Sequence, residues 1–191
     1  MKDAHPRPLR RQGAFSLLEV LVVLVIVALL AALGAPEYGR MMERAKSAAC
    51  MGNLRAVGAA LGSYLSDHDG RMPYINNPDP YPIYSEDDDL PEEVTPITLV
   101  EAFGPYGIPN RGFRCPSDAA MNNQFAKLGT SYEWIPRIDG EQSVAPKVLA
   151  RRGQLVTRKI NRIVVLREFD PVHFGRSNRL YGDGRVIAVQ R

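Results

Sequence analysis

Groups that carry out chemistry are scarce in this sequence. Its 191 residues include 2 cysteines, 3 histidines and 1 tryptophan. No Gly-x-Ser-x-Gly elbow, phosphate loop, zinc cluster or dinucleotide fingerprint occurs, which removes the readily recognised hydrolase and nucleotide-binding classes. The body also lacks an excess charge of either sign. Residues 1–14 carry Lys2, Arg7, Arg10 and Arg11 against Asp3, which accounts for the whole formal charge of +3. The sequence beyond them is formally neutral, so no basic patch is expected to track a phosphate backbone, and nucleic acid is not an expected partner.

Polar side chains are missing altogether from Val20 to Ala35, and Glu19 is the one charge between Phe15 and Ala35. About 20 apolar residues in a helix span a bilayer core. The basic residues just before the run follow the positive-inside arrangement, with a cytoplasmic N-terminus. A cleaved secretory signal fits poorly. Cutting after Ala35 would put Leu33 third from the cut and Pro36 directly after it. A carboxylate in the apolar part of a membrane helix costs roughly 2.5–3.5 kcal/mol, less near an end. Glu19 therefore either snorkels to the interface or meets a partner.

The string GAFSLLEV, after a short basic leader and before an apolar helix, resembles the type IV prepilin processing signal. The resemblance implies that a prepilin peptidase cuts between Ala14 and Phe15 and methylates the new N-terminus at Phe15. Glu19 then becomes the fifth mature residue and the assembly residue, and Pro36, a helix kink, the twenty-second. The residue before the cut is normally glycine, so a cut between Gly13 and Ala14 is the alternative; it would make Glu19 sixth. The implied partners are other pilin or pseudopilin subunits, the peptidase, inner-membrane lipid and a secretion or pilus assembly platform. The implied location is single-pass in the inner membrane, with the head periplasmic or extracellular.

Beyond Gly34, Pro36 and Gly39 the pattern becomes amphipathic. Tyr38, Met41, Met42, Ala45, Ala48, Ala49, Leu54, Val57, Leu61, Tyr64 and Leu65 recur at helical spacing, with Glu37, Arg40, Glu43, Arg44 and Lys46 on the polar side. DHDGRMP ends the helix with turn residues. Asp67 and Asp69 are weak calcium candidates, because a full loop needs further oxygen ligands and Arg71 follows instead. The acidic run SEDDDLPEE reads as a solvated loop. A short helix is expected at Ile97 to Phe103. FRCPSD should hold a strand end and turn, SYEW and INRIVVLREF strands, and RLYGDGRVIAV a hairpin closed at Gly182-Asp183-Gly184. The expected fold is α+β: a long N-terminal helix, transmembrane then amphipathic, packed on a small antiparallel sheet. The expected segments are a leader (1–14), a membrane and assembly helix (15–36), an amphipathic helix (37–66) and a head (67–191).

His173, nine residues and Asp183-Gly184 resemble the prepilin-processing-associated family named for that C-terminal pattern. ACMGNLRAVGAALGSYLSDHDGRMP and FRCPSD look like its other recurring segments, and the long helix also resembles the major pseudopilin of type II secretion. His173 is expected to bond a loop or Asp183; metal binding and catalysis are the lesser readings. Cys50 and Cys115 form a disulfide or remain two buried thiols, with no cofactor expected. The expected role is a filament subunit rather than an enzyme. The alternatives are a singly anchored extracytoplasmic module and a protein released after Ala35.

Overall fold

The computed structural model describes residues 16–85, 90–149, 154–173 and 175–190; within these, the side chains of 33–36 are not described. The leader, both scissile positions and Phe15 therefore lie outside the described residues, as do the Pro36 side chain and 86–89 of the acidic run. The chain divides into two units, 1–41 and 42–191.

Helix α1 runs Leu17–Asp67, with Glu19 in its first turn. Within the first unit its large apolar side chains stand exposed, from Leu18 at 71% to Leu30 at 65%. No single helix among the described residues is long and apolar enough to cross a membrane; Leu17–Ala32 and Glu37–Asp67 taken together are, by length and composition only.

In the second unit α1 buries Cys50, Leu54, Val57, Ala60 and Leu61, a stripe at helical spacing. Its N-terminal end differs from expectation. Met42, Ala45, Ala48 and Ala49 are exposed, whereas Glu43, Lys46 and Ser47 are partly covered. Small alanines contribute little to burial, and the face is decided instead by what Glu43 and Cys50 can bond.

The expected short helix is α2, Leu99–Phe103, started by a Thr98/Glu101 capping box. A second short helix, α3, spans Gln124–Leu128. FRCPSD does not hold a strand: a 3-10 turn, Asn110–Phe113, ends on its Phe113 and its Asp118 begins another. Strands follow at β1 (Tyr132–Trp134), β2 (Lys147–Leu149), β3 (Leu155–Thr157), β4 (Val164–Glu168), β5 (Arg176–Tyr181) and β6 (Val186–Gln190). The main sheet is antiparallel in the order β1-β4-β5-β6, and β2-β3 form a separate hairpin.

Strand periodicity sorts the sheet into two faces. Tyr132 pairs with Glu168, Trp134 with Leu166 and Leu166 with Leu180 on the buried face. Glu133, Arg167 and Arg179 alternate onto the other. The buried face meets α1 at close range: a Cβ built on Gly58 would lie 2.9 Å from Leu180 Cδ1 and 3.3 Å from Gly184 Cα. Gly184 has φ +83, so the Asp-Gly pair supplies the left-handed turn residue that closes β5–β6. The α+β class and helix-on-sheet layout are as the sequence implied.

Candidate functional site

Four potential ligand groups converge in the core of the second unit. Cys50 comes from α1 and Cys115 from the loop after the Asn110–Phe113 turn. Glu168 ends β4, and His173 sits in the link to β5. Their sulfur, oxygen and nitrogen atoms all lie within 4.8 Å of one another. Each residue is at most 2% exposed.

The Cys50 thiol donates to Glu168 Oε1 at 2.8 Å, and the Tyr132 hydroxyl lies 3.3 Å from the same sulfur. His173 Nε2 is 3.0 Å from Glu168 Oε1 and 3.3 Å from Cys115 Sγ. Its Nδ1 is 2.9 Å from Glu43 Oε1, which also accepts from Ser117 Oγ at 2.6 Å. Glu168 is further fixed by Asn178, whose backbone N–H reaches Oε2 at 2.7 Å and whose amide reaches Oε1 at 3.0 Å. The Cys115 backbone N–H is held by Ser131 Oγ at 3.0 Å, and that hydroxyl donates to Asp118 at 2.8 Å.

Both carboxylates facing the imidazole favour its charged form. Burial works against that charge, but hydrogen bonds to Cys115 and Glu168, with the Glu168 charge, outweigh it and raise His173 to about 10. Glu43 is buried enough to be pushed up, yet the bonds from Ser117 and His173 bring it below the usual carboxylate range. Cys115 falls to about 7, through the neighbouring Cys50 thiol first and His173 next, against the cost of burial. Burial drives the Cys50 thiol strongly upward. A low thiol beside an oriented imidazole is the chemistry of a nucleophile, but Cys115 is 1% exposed and offers no path to a substrate.

The sequence drew attention to His173 and Asp183 as a pair, and the structure separates them. Asp183 binds Arg185 Nε at 2.6 Å within its own turn, while His173 bonds Glu43 and Glu168. Both cysteines are free thiols, and they face each other. Asp67 ends α1 and meets the Tyr106 hydroxyl, and Asp69 takes φ 51 in the turn. Among the described residues neither belongs to a group of three or more metal-binding side chains. His68 stacks on Tyr64 at 3.8 Å, away from the cluster.

Sequence reasoning missed Glu43, Glu168, Ser117 and Asn178. Hydrophobic periodicity puts Glu43 on the solvent side, and the β-branched pattern marks Glu168 only as a strand residue. A basic cluster was also missed. Arg137, Arg158, Arg162, Arg167 and Arg179 line a cleft of about 610 Å³ on the far side of the sheet. Arg167 is paired with Glu133 at 2.6 Å, and Arg179 Nε is buried without a hydrogen-bond partner. The expectation that no such patch remains is therefore corrected. The body is neutral as a whole, but folding gathers these scattered arginines.

Residues 9–35 match the family model described as the prokaryotic N-terminal methylation motif. That segment is prepilin-like. Over 59 residues it is also 39% identical to a Pseudomonas aeruginosa protein named type II secretion system core protein G. That match covers 31% of this chain and 42% of the relative, under half of either. No solved structure matches. The matched residues thus include the exposed apolar part of α1, while the buried Cys-Glu-His cluster belongs to the other unit of the chain.

Proposed function

We propose that the chain is a structural subunit of a type IV pilus-like or type II pseudopilus-like filament, anchored in the inner membrane until assembly. The observation that carries this is the match of residues 9–35 to the methylation motif, which runs into the first part of α1, where the large apolar side chains of the described residues stand exposed. In a helix bundle of like subunits those side chains would cover one another.

The proposed sequence of events starts at the cytoplasmic face. A prepilin peptidase removes residues 1–14 and methylates Phe15, which keeps its positive charge. Residues 15–36 hold the subunit in the membrane, 37–66 carry the head, and 67–191 complete it. On assembly, the Phe15 ammonium of one subunit meets Glu19 of its neighbour. Each charge alone in an apolar bundle is penalised by several kcal/mol, and pairing offsets that penalty in one register only. The burial of Cys115, His173 and Glu168 supports a structural rather than a catalytic head.

N-terminal analysis of the mature chain tests the reading. A start at N-methyl-Phe15, with Glu19→Gln cleaved and membrane-inserted yet absent from filaments, is expected. An intact Met1 would instead support a singly anchored module, and a start at Pro36 a released protein. Normal filaments from Glu19→Gln would overturn the assembly role.

A further inference from the structure

We propose that Cys50, Cys115, Glu168 and His173 form a closed, structural zinc site that fastens α1 to the sheet. The proposal is independent of filament formation, since all four residues lie in the second unit.

The donor set comes first. Two sulfurs, one imidazole nitrogen and one carboxylate oxygen make a borderline-soft tetrahedral set that suits zinc, whereas calcium and magnesium require oxygen ligands throughout. Zinc bonds of about 2.0–2.3 Å place tetrahedral donors about 3.3–3.8 Å apart. The separations in the cluster are 2.8 Å for Cys50 Sγ to Glu168 Oε1, 3.0 Å for His173 Nε2 to Glu168 Oε1 and 3.3 Å for Cys115 Sγ to His173 Nε2. Outward shifts of about 0.3–0.7 Å in these pairs accommodate the ion at those bond lengths.

The surrounding shell is already organised for a ligand role. A zinc-bound histidine normally gives its other ring N–H to a carboxylate. His173 Nδ1 faces Glu43 at 2.9 Å, and Glu43 is itself held by Ser117, which leaves Nε2 directed at the cluster. Asn178 N–H occupies Glu168 Oε2, and Oε1, which also accepts from the Asn178 amide, is the oxygen turned towards Cys50. Burial of all four residues leaves no open coordination position for substrate, the arrangement of a structural rather than a catalytic ion.

The exchange is balanced without any redox step. Zinc takes the places of the protons on the two sulfurs and on His173 Nε2. Uptake therefore releases protons, and it weakens as pH falls. A disulfide between Cys50 and Cys115 would use the same two sulfurs and so excludes the ion.

The test uses the full chain, purified in detergent without chelator. The expected result is one zinc per chain by elemental analysis and no disulfide by intact mass. After chelation, cobalt(II) added to the reduced chain should produce sulfur-to-metal bands and the visible bands of tetrahedral cobalt. Cys115→Ser should lose the sulfur band in part, and Glu43→Gln, which keeps every ligand, should weaken zinc binding about 10- to 100-fold. If Cys115→Ser fails to fold, the wild-type cobalt spectrum and Glu43→Gln still decide. A reduced, folded chain that holds no zinc and gives no cobalt bands overturns the proposal, as does a Cys50–Cys115 disulfide in the native chain.

Discussion

Replacing Gly58 by alanine should lower stability, although the same change elsewhere on α1 should raise it. Alanine in a helix interior is favoured over glycine by about 0.8–1 kcal/mol. At Gly52 and Gly62 a new Cβ meets nothing within 4 Å, so Gly52→Ala and Gly62→Ala should realise that gain. At Gly58 it would stand 2.9 Å from Leu180 Cδ1, 3.3 Å from Gly184 Cα and 3.6 Å from Gly184 O. Leu180 is fully buried, and the other two neighbours are backbone, so little can yield. Overpacking of this kind typically costs about 1–3 kcal/mol, leaving a net loss of about 0–2 kcal/mol after the propensity gain. In a domain of this size each kcal/mol moves the unfolding midpoint by roughly 2–4 °C. Thermal unfolding of the detergent-solubilised chain, followed by near-ultraviolet circular dichroism at Trp134, reads the difference. A Gly58→Ala midpoint raised as far as that of Gly52→Ala would refute the close approach of α1 to the β5–β6 turn.

Three other outcomes are expected. Thr98→Ala removes the cap of α2, whose hydroxyl accepts from Glu101 N at 3.2 Å, and should cost about 1 kcal/mol in denaturant unfolding. Asp139 is raised to about 6 because burial outweighs its bonds from Tyr84, Trp134 and Ile75. A folded pKa above the ordinary 3.8 means that the folded state binds the proton more tightly. This group's contribution is thus full below pH 3.8 and is lost as pH rises through 6, so Asp139→Asn should remove a fall in stability across that window, measured as unfolding midpoint against pH. The arginine cleft should respond to divalent anions: sulfate should raise the wild-type melting temperature by more than it raises that of the double variant Arg158→Gln/Arg162→Gln. Equal responses would show that the cleft does not concentrate anions.

Local patterns in the sequence carried the elements well and their convergence poorly. The 51-residue helix, the capped α2, the β-branched β4 and the Gly-Asp-Gly hairpin all rest on signals contained within a few turns or one strand. The helix face near Glu43 was misplaced for a physical reason. Periodicity ranks residues by hydrophobicity, so Ala45, Ala48 and Ala49 were read as inward and Glu43 as outward. A carboxylate that finds both a serine hydroxyl and an imidazole is covered nonetheless. The Glu43–His173 contact spans 130 residues of sequence, and no single-chain pattern registers such a distance. The spacing from His173 to Asp183-Gly184 was legible; of the two partners expected for His173, the loop is met through Cys115 and Ser117, and Asp183 is not. The spacing marks two separate devices: a buried imidazole and a left-handed turn against Gly58.

The polar cluster has a structural consequence that an apolar core would not supply. Leu54, Val57 and Leu61 recur at helical spacing, so sliding α1 by one turn, about 5.4 Å, would exchange one apolar residue for another. Hydrophobic burial is non-directional and penalises such a slip only weakly. The bonds from Cys50 to Glu168 and from Glu43 to His173 and Ser117 allow no equivalent exchange. The same slide would break all of them, leaving the Cys50 thiol without Glu168 and the partly covered Glu43 carboxylate without His173 and Ser117. Gly58 against Gly184 adds a steric stop at a second height on the helix. One register of α1 on the sheet is thereby selected by directional contacts. A buried polar group that fixes register is among the best-attested uses of such groups, and that use accounts for carboxylates in a core where leucine would bury more area.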